Sequence, residues 1–124
     1  MSVFRAPENF DPLAEAASEH PEIDTQCDRI LVCFIHPKSG GSGQQGKSLL
    51  KKLRSILSVR QVFDVTAVNR QKVLSYCDRV LPDGSWRVLV AGGDGTVAWI
   101  VRTDGKIYHL FCHIQGGRIK LVHP

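Results

Sequence analysis

Two glycine-rich segments in this chain have the composition of loops that bind phosphate. One reads GSGQQGKS and spans 41–48, and the other reads AGGDGT and spans 91–96. Glycine permits positive φ angles and lets backbone N–H groups approach phosphate oxygens closely. Lys47 could add a positive charge in the first segment, and Asp94 could hold Mg²⁺ or polarise a hydroxyl group in the second. Together these residue types predict a site for a nucleotide polyphosphate.

The first segment taken alone matches GxxxxGK[ST], the pattern of P-loop NTPases. In those enzymes the first glycine directly follows a strand, but residues 36–40 separate Gly41 from the apolar run ILVCFI at 30–35. The sequence also lacks a convincing Mg²⁺-organising Asp at the end of an apolar strand. A P-loop NTPase is therefore the less favoured alternative, and Lys47 fits either a phosphate contact or a solvent-facing position.

Three predicted strands alternate with helices around these segments. The run at 30–35 is continuous and apolar, as in a strand buried on both faces, whereas 61–68 alternates and is rich in β-branched residues. WRVLVA at 86–91 predicts the third strand. Two helices between the strands carry apolar residues at helical spacing, and Asn69 is the expected N-cap of the second. These apolar positions are Leu49, Leu50, Leu53, Ile56 and Leu57 in the first helix, and Val73, Leu74, Cys77, Val80 and Leu81 in the second.

The order β-loop-α-β-α-β-loop-α is that of an α/β protein, with VAWIVR at 97–102 as a short helix after the second glycine-rich segment. It predicts the beginning of a Rossmann-like, parallel, three-layer sheet that is incomplete in this chain. In a 2-1-3 strand order the first and third strands are neighbours. Both glycine-rich segments would then flank one crevice at the carboxyl ends of the strands.

Charge and composition divide the chain into three parts. Residues 1–28 hold one basic and seven acidic side chains and predict an acidic, flexible leader. Residues 29–102 contain the predicted α/β domain. Residues 103–124 form a divergent tail in which KIYHLFCHI and RIKLVHP flank QGG in the pattern of a β-hairpin. From residue 29 onward fifteen basic side chains stand against five acidic ones, which suits anionic partners.

The composition also argues against several classes of protein. The longest apolar run is six residues, so no transmembrane segment is predicted, and the N-terminus lacks the features of a signal peptide. The four cysteines lack CxxC spacing, which favours reduced thiols and a cytoplasmic location. Irregular spacing favours packing or disorder over metal binding for the histidines and cysteine of the tail: His109, Cys112, His113 and His123. Nucleic-acid binding is disfavoured because the basic residues lack interleaved aromatic side chains.

With both segments in place, the stretch from Ile30 to Val101 resembles the diacylglycerol kinase catalytic domain. ILVCFIHPKSGGSGQQG is similar to the family's first strand and glycine-containing loop, and RVLVAGGDGTVAWIV to its GGDGT signature. GGDGT alone is shared with sphingosine kinases, ceramide kinases and NAD kinases. QVFDV at 61–65 and the Trp after GGDGT favour the diacylglycerol branch.

The resemblance implies transfer of the γ-phosphoryl group of Mg·ATP to the hydroxyl group of diacylglycerol at a membrane surface, with the protein otherwise cytoplasmic. ATP and Mg²⁺ are the implied ligands, and Asp94 is the implied catalytic or Mg²⁺-organising residue. One wall of the implied ATP phosphate site is formed by Gly92, Gly93, Asp94, Gly95 and Thr96. The opposite wall comprises Ser39, Gly40, Gly41, Gly43 and Gly46, with Lys47 as a phosphate partner.

The chain departs from the family at two places. His36 stands where the family usually has Asn, which makes the nucleotide affinity uncertain. After Val101 the family's second lobe, which helps to build the acceptor site, does not follow. We therefore expect a truncated form with a three-stranded parallel sheet and open edges. The alternative to a kinase is a non-catalytic fragment that binds a nucleotide or a partner.

Overall fold

The computed structural model describes six ranges of the chain, the last two by their backbone alone. These ranges are 4–14, 29–38, 44–82, 85–92, 111–115 and 118–122.

The described residues form an α/β structure around a five-stranded sheet with the order β2-β1-β3-β4-β5. Strands β1 to β4 run parallel to one another, and β5 is antiparallel to β4. The predicted 2-1-3 order of the first three strands is confirmed. The elements are β1 (Ile30–Ile35), α1 (Gln45–Ile56), β2 (Val62–Asp64), α2 (Arg70–Val80), β3 (Trp86–Gly92), β4 (Phe111–Gln115) and β5 (Arg118–Val122).

The sheet is larger than the three strands that the sequence predicted. The tail forms the expected hairpin, in which Gln115 is opposite Arg118, but this hairpin also extends the sheet. Its first strand pairs in parallel with the end of β3, where Ala91 lies opposite Cys112. The expectation of an open edge at β3 was therefore wrong, because the tail supplies the backbone partners of that edge. The short helix predicted at 97–102 lies outside the described residues.

The two faces of the sheet are covered by different helices, which gives three layers in the described part of the chain. On one face, Cys33 and Ile35 of β1 pack in a cluster with Leu50, in the middle of α1, and Leu57, just beyond its end. On the other, alternate β1 residues such as Phe34 join a cluster with α2. Burial on both faces explains why β1 is apolar at every position rather than at every second one.

Helix α2 begins and ends as the sequence predicts. The side chain of Asn69 accepts a hydrogen bond of 3.2 Å from the backbone N–H of Lys72, which satisfies one of the free amides of the first turn. After the helix, the N–H of Ser85 donates to the carbonyl of Pro82 at 3.0 Å, as expected for a turn. In α1, by contrast, one predicted core residue is not in the core. Ile56 is 55% exposed, whereas its neighbour Leu57 is buried as predicted.

Strand β2 is shorter than the predicted 61–68 because a turn follows it immediately. The carboxylate Oδ1 of Asp64 accepts hydrogen bonds from the backbone N–H of Thr66 at 2.8 Å and from its hydroxyl at 2.6 Å. Val65 and Val68 still contact the core, so the alternation of apolar residues continues beyond the strand itself.

Part of the predicted flexible leader is packed against the core. Phe10 is fully buried, its ring lies 5.7 Å from that of Tyr76 in an edge-to-face arrangement, and Ala6 belongs to the same cluster. The N–H of Asp11 also donates to the Tyr76 hydroxyl oxygen at 3.4 Å. The sequence did not predict this packing, because Ala6 and Phe10 are isolated residues and form no periodic apolar pattern.

The amide group of Gln61 ties this N-terminal segment to the sheet. Its side chain is fully buried, and Oε1 accepts from the N–H groups of Ala6 at 2.7 Å and Ser58 at 3.1 Å. Its Nε2 donates to the carbonyls of Phe4 at 2.6 Å and Leu31 at 2.7 Å. Every hydrogen-bonding position of the amide is used, which makes the burial of this polar group tolerable.

Replacing Gln61 with Ala should lower the free energy of unfolding by about 3 kcal/mol, since four backbone groups lose their hydrogen bonds to the amide together and the one from Ala6 is buried. Urea denaturation followed by circular dichroism would measure the change. The exposed Gln71 of α2 provides the matched control, and Q71A should change stability by less than about 0.5 kcal/mol. Equal effects of the two substitutions would contradict this account of Gln61.

Cys33 and Cys77 should resist alkylation until the protein unfolds. Both are buried cysteines, and burial raises the pKa of Cys77, so the reactive thiolate is scarce in the folded state. Peptide mapping after iodoacetamide treatment, with and without urea, would measure the modification of each thiol. Labelling of Cys77 at the same rate in both conditions would show that its site is open to solvent.

Candidate functional site

The two glycine-rich segments leave the sheet from neighbouring strands at the same edge. Strands β1 and β3 pair in parallel over their length, with Ile35 opposite Ala91. Immediately after β1, the N–H of His36 donates to the carbonyl of Ala91 at 2.8 Å, so the pairing continues to the point where both chains turn away. The segment that begins after Lys38 and the one that begins at Gly92 therefore start side by side.

This edge lies at a reversal of strand order. The chain passes from β1 to β2 on one side of β1, and from β2 back across to β3 on the other. Helix α1, within the first connection, packs on one face of the sheet, and α2, within the second, packs on the opposite face. Connections that diverge in this way leave a crevice at the carboxyl ends of the two central strands, where α/β proteins bind ligands.

Helix α1 returns to this edge through a close contact at Gly46. This glycine is buried in the first turn of the helix, and a Cβ atom added there would overlap the carbonyl oxygen of His36 and lie 3.0 Å from the carbonyl carbon of Pro37. Position 46 therefore requires glycine, because there is no space for a Cβ atom between α1 and the chain after β1. The absent side chain lets the amino end of α1 lie directly against the chain leaving β1.

The electrostatic character of α1 is strongly positive at this end. The helix contains no acidic residue, and its N-cap, Gln44, makes no side-chain capping hydrogen bond. Lys47 is exposed in the first turn. The helix dipole adds partial positive charge at the same place, so this edge favours an anion. The basic residues of α1 are Lys47, Lys51, Lys52 and Arg54.

His36 shapes the first turn after β1. Its ring nitrogen Nδ1 accepts a hydrogen bond of 3.2 Å from the backbone N–H of Lys38, two residues ahead. Asp64 closes the turn after the neighbouring strand β2 in the same way, with its carboxylate and Thr66. Both strand ends at this edge are thus fixed by a side chain that accepts from the backbone.

Three of the predicted site residues lie within the described part of the chain, and they converge on this edge. Gly92 ends β3, and Gly46 and Lys47 lie in the first turn of α1. The remaining ones lie outside the described residues, so their contacts stay predictions: Ser39, Gly40, Gly41, Gly43, Gly93, Asp94, Gly95 and Thr96.

The sequence interpretation missed two features of this edge. It assigned Gly46 to phosphate contact alone, whereas the structure gives it a packing role against His36. A glycine within the first turn of an otherwise strong helix was the available signal, because glycine disfavours a helix unless space demands it. It also did not foresee that the imidazole of His36 would close a turn.

A second concavity of about 480 Å³ lies between the N-terminal segment and α2, and it contains none of the predicted site residues. Tyr76 and Arg79 form part of its wall, with the guanidinium carbon 5.8 Å from the ring centre. Across the described ranges, no three His, Cys, Asp or Glu residues are grouped to hold a metal ion. No helix in those ranges is long and apolar enough to cross a membrane.

Comparison with known proteins finds one family over most of the chain. The family model described as diacylglycerol kinase catalytic domain matches residues 29–109. Diacylglycerol kinase 4 of Arabidopsis thaliana is 28% identical over 119 residues, which cover 85% of this chain and 24% of that protein. No solved structure matches the chain.

Two animal proteins are more similar over shorter stretches. Eye-specific diacylglycerol kinase of Drosophila melanogaster is 44% identical over 77 residues, 62% of this chain and 5% of that protein. Diacylglycerol kinase theta of Mus musculus is 39% identical over 94 residues, 75% of this chain and 9% of that protein. The chain thus spans about a quarter or less of the length of these curated relatives.

Replacing Gly46 with Ala should destabilise the protein by about 2 kcal/mol, because the new methyl group overlaps the His36 carbonyl and outweighs the better helix propensity of alanine. The exposed Ser48, two residues along the same helix, is the matched control. S48A should leave stability unchanged or slightly raised. Urea denaturation would measure both, and a stabilised G46A protein would refute the close contact.

Proposed function

Because this chain belongs to the diacylglycerol kinase catalytic-domain family, we propose that it forms the ATP-binding side of a kinase that phosphorylates diacylglycerol to phosphatidic acid. The observation that carries the proposal is the parallel pairing of β1 with β3, continued by the hydrogen bond from His36 to Ala91. It starts both glycine-rich segments at adjacent positions, where they can surround one polyphosphate.

The chemistry that this edge must provide is mainly positioning and neutralisation of charge. Phosphoryl transfer requires the attacking and leaving oxygens in line and the negative charge of the phosphates balanced. Backbone N–H groups after Gly92 and within 39–46 would donate to the phosphate oxygens, and the amino end of α1 with Lys47 would add positive charge. Gly92 is held at the end of β3 and Gly46 in the first turn of α1, so the described ends of both segments are fixed before the reaction begins.

The reaction itself balances without a covalent intermediate on the protein. The hydroxyl oxygen of diacylglycerol forms a bond to the γ-phosphorus as the bond to the bridging oxygen breaks, and ADP leaves. The hydroxyl proton passes to a base, a role we assign to the carboxylate of Asp94. No diacylglycerol contact is assigned to any described residue.

Magnesium is the metal that accompanies ATP in this family, and binding it is the alternative role for Asp94. The described residues offer no group of three potential ligands at the edge, and Asp94 lies outside them. They therefore do not make a metal site on their own, and no step is assigned to the ion.

Family membership favours this proposal over a P-loop NTPase. Both would use Lys47 near phosphate, but only the kinase proposal gives the GGDGT segment a central role. The two proposals are therefore distinguished by comparing how substitutions at Lys47 and in the GGDGT segment change ATP binding and hydrolysis.

The chain should bind Mg·ATP in isothermal titration calorimetry, and G93D should weaken binding at least about tenfold, because a carboxylate would enter the phosphate site. K47A should weaken it about threefold, as expected for one exposed cation. K52A, on the same helix but farther from the edge, is the matched control and should have less than about a twofold effect.

Radiolabel transfer from ATP to diacylglycerol in mixed micelles would separate catalysis from binding. Binding without transfer by this chain would favour the non-catalytic alternative. If K47A abolished ATP hydrolysis while D94A left it intact, the P-loop interpretation would replace the kinase proposal. Unchanged ATP binding by G93D would remove the second segment from the site.

A further inference from the structure

We propose that His36 is a positioning residue of the ATP site, whose neutral imidazole fixes the start of the first glycine-rich segment. The ring accepts the hydrogen bond from Lys38, and protonation of the ring would abolish that contact. ATP affinity should therefore depend on His36 being neutral. The identity of the ligand, ATP, rests on the proposed function, whereas the turn is a feature of the structure.

Three elements of the site meet at His36. Its backbone N–H is bound to Ala91 of β3 at 2.8 Å, and its carbonyl lies against Gly46 in the first turn of α1. Its ring holds Lys38 through the 3.2 Å hydrogen bond. The backbone of His36 is thus fixed by the sheet and the helix, and its ring fixes the backbone N–H of Lys38.

The hydrogen bond defines the tautomer of the ring. A backbone N–H can only donate, so Nδ1 must be the unprotonated nitrogen, and the proton of the neutral ring must be on Nε2. A protonated imidazolium carries N–H groups at both nitrogens and cannot accept. The two N–H groups would then face each other, and the turn would have to open.

Three other turns in the described residues have the same hydrogen bond but use an oxygen acceptor instead of an imidazole nitrogen. Asp11, Ser58 and Asp64 each accept from the backbone N–H two residues ahead, at 3.3, 3.2 and 2.8 Å respectively. Their acceptors are oxygen atoms that keep this ability at neutral and mildly acidic pH. Of these four turns, the one after β1 has an imidazole nitrogen as its acceptor, and an imidazole nitrogen stops accepting when it is protonated.

The charged groups around His36 come from three directions in the described residues. Lys38 belongs to the same turn, and Lys47 lies in the first turn of α1. Asp64 lies opposite Ile35 in the register of β2, with its carboxylate engaged by Thr66. Strand β3 contributes Ala91 and Gly92, which carry no charge.

The sign of the pH dependence distinguishes this role from simple charge attraction. If His36 acted as a cation beside phosphate, its protonation would strengthen ATP binding. If it holds the turn, protonation would weaken binding. Asparagine places an amide oxygen at the position corresponding to Nδ1 and stays neutral, so H36N keeps the acceptor and removes the titration.

The first test observes the turn without ATP. Nitrogen-15 NMR of the full chain at pH 7.5 should show the Nε2–H tautomer for His36, and the Lys38 amide resonance should shift together with the protonation of that ring. In H36N the Lys38 amide should not titrate in this range. A ring with its proton on Nδ1 would overturn the inference whatever the protein binds.

The second test measures Mg·ATP affinity at pH 8.0 and 5.5, with H36N as the baseline for protonation of ATP itself. Relative to H36N, the wild type should lose about fivefold in affinity at the lower pH, the magnitude expected from one hydrogen bond. H36A should bind about fivefold more weakly than H36N at both values. Urea denaturation of each protein confirms that it is folded.

Each outcome has a defined meaning. Equal pH dependence in wild type and H36N, tighter binding by the wild type at pH 5.5, or equal affinities of H36N and H36A would overturn the inference. If none of the proteins binds ATP at pH 8.0, the proposed function fails and the nucleotide part of this inference fails with it. The NMR experiment then still decides whether His36 holds the turn.

Discussion

The pairing of β1 with β3 is the constraint on which the rest of the structure depends. Strand β1 has a strand on each side and a helix on each face, so it can be neither polar nor out of register without loss of core contacts. Its register against β3 fixes where both chains leave the sheet. The candidate site is therefore a consequence of how the centre of the fold is packed, because β1 and β3 set the points at which both segments leave the sheet.

The sheet edge and the helix are joined by backbone contacts more than by side chains. His36 links β1 to β3 through its N–H group, and Gly46 brings α1 against the carbonyl of the same residue. Such contacts leave little freedom for the chain at the edge, because neither partner can move without breaking the pairing or opening the helix. Rigidity at the starting points of the loops is what a site that works by positioning needs.

Much of this arrangement was predictable because it follows from local patterns. The continuous apolar run gave the bounds of β1, and the capping role of Asn69 followed from its position before an amphipathic segment. The buried amide of Gln61 and the pairing of the tail hairpin with β3 were not predictable, since both depend on partners far away in the chain. At the candidate site, residue type was enough to predict a phosphate contact for Gly92 and Gly46, which stays a prediction, but the turn made by His36 required knowledge of where its ring nitrogen lies.

The amide of Gln61 has a consequence for the order in which the chain can fold. It joins backbone groups near residues 4 and 6 to one at residue 31, so the N-terminal segment has no settled place until Gln61 has been synthesised. Strand β1 must likewise wait for β3, more than fifty residues later, to gain its second neighbour. Contacts of such long sequence separation slow folding, so the segment at 4–14, which precedes the sheet in the chain, is among the last to become ordered.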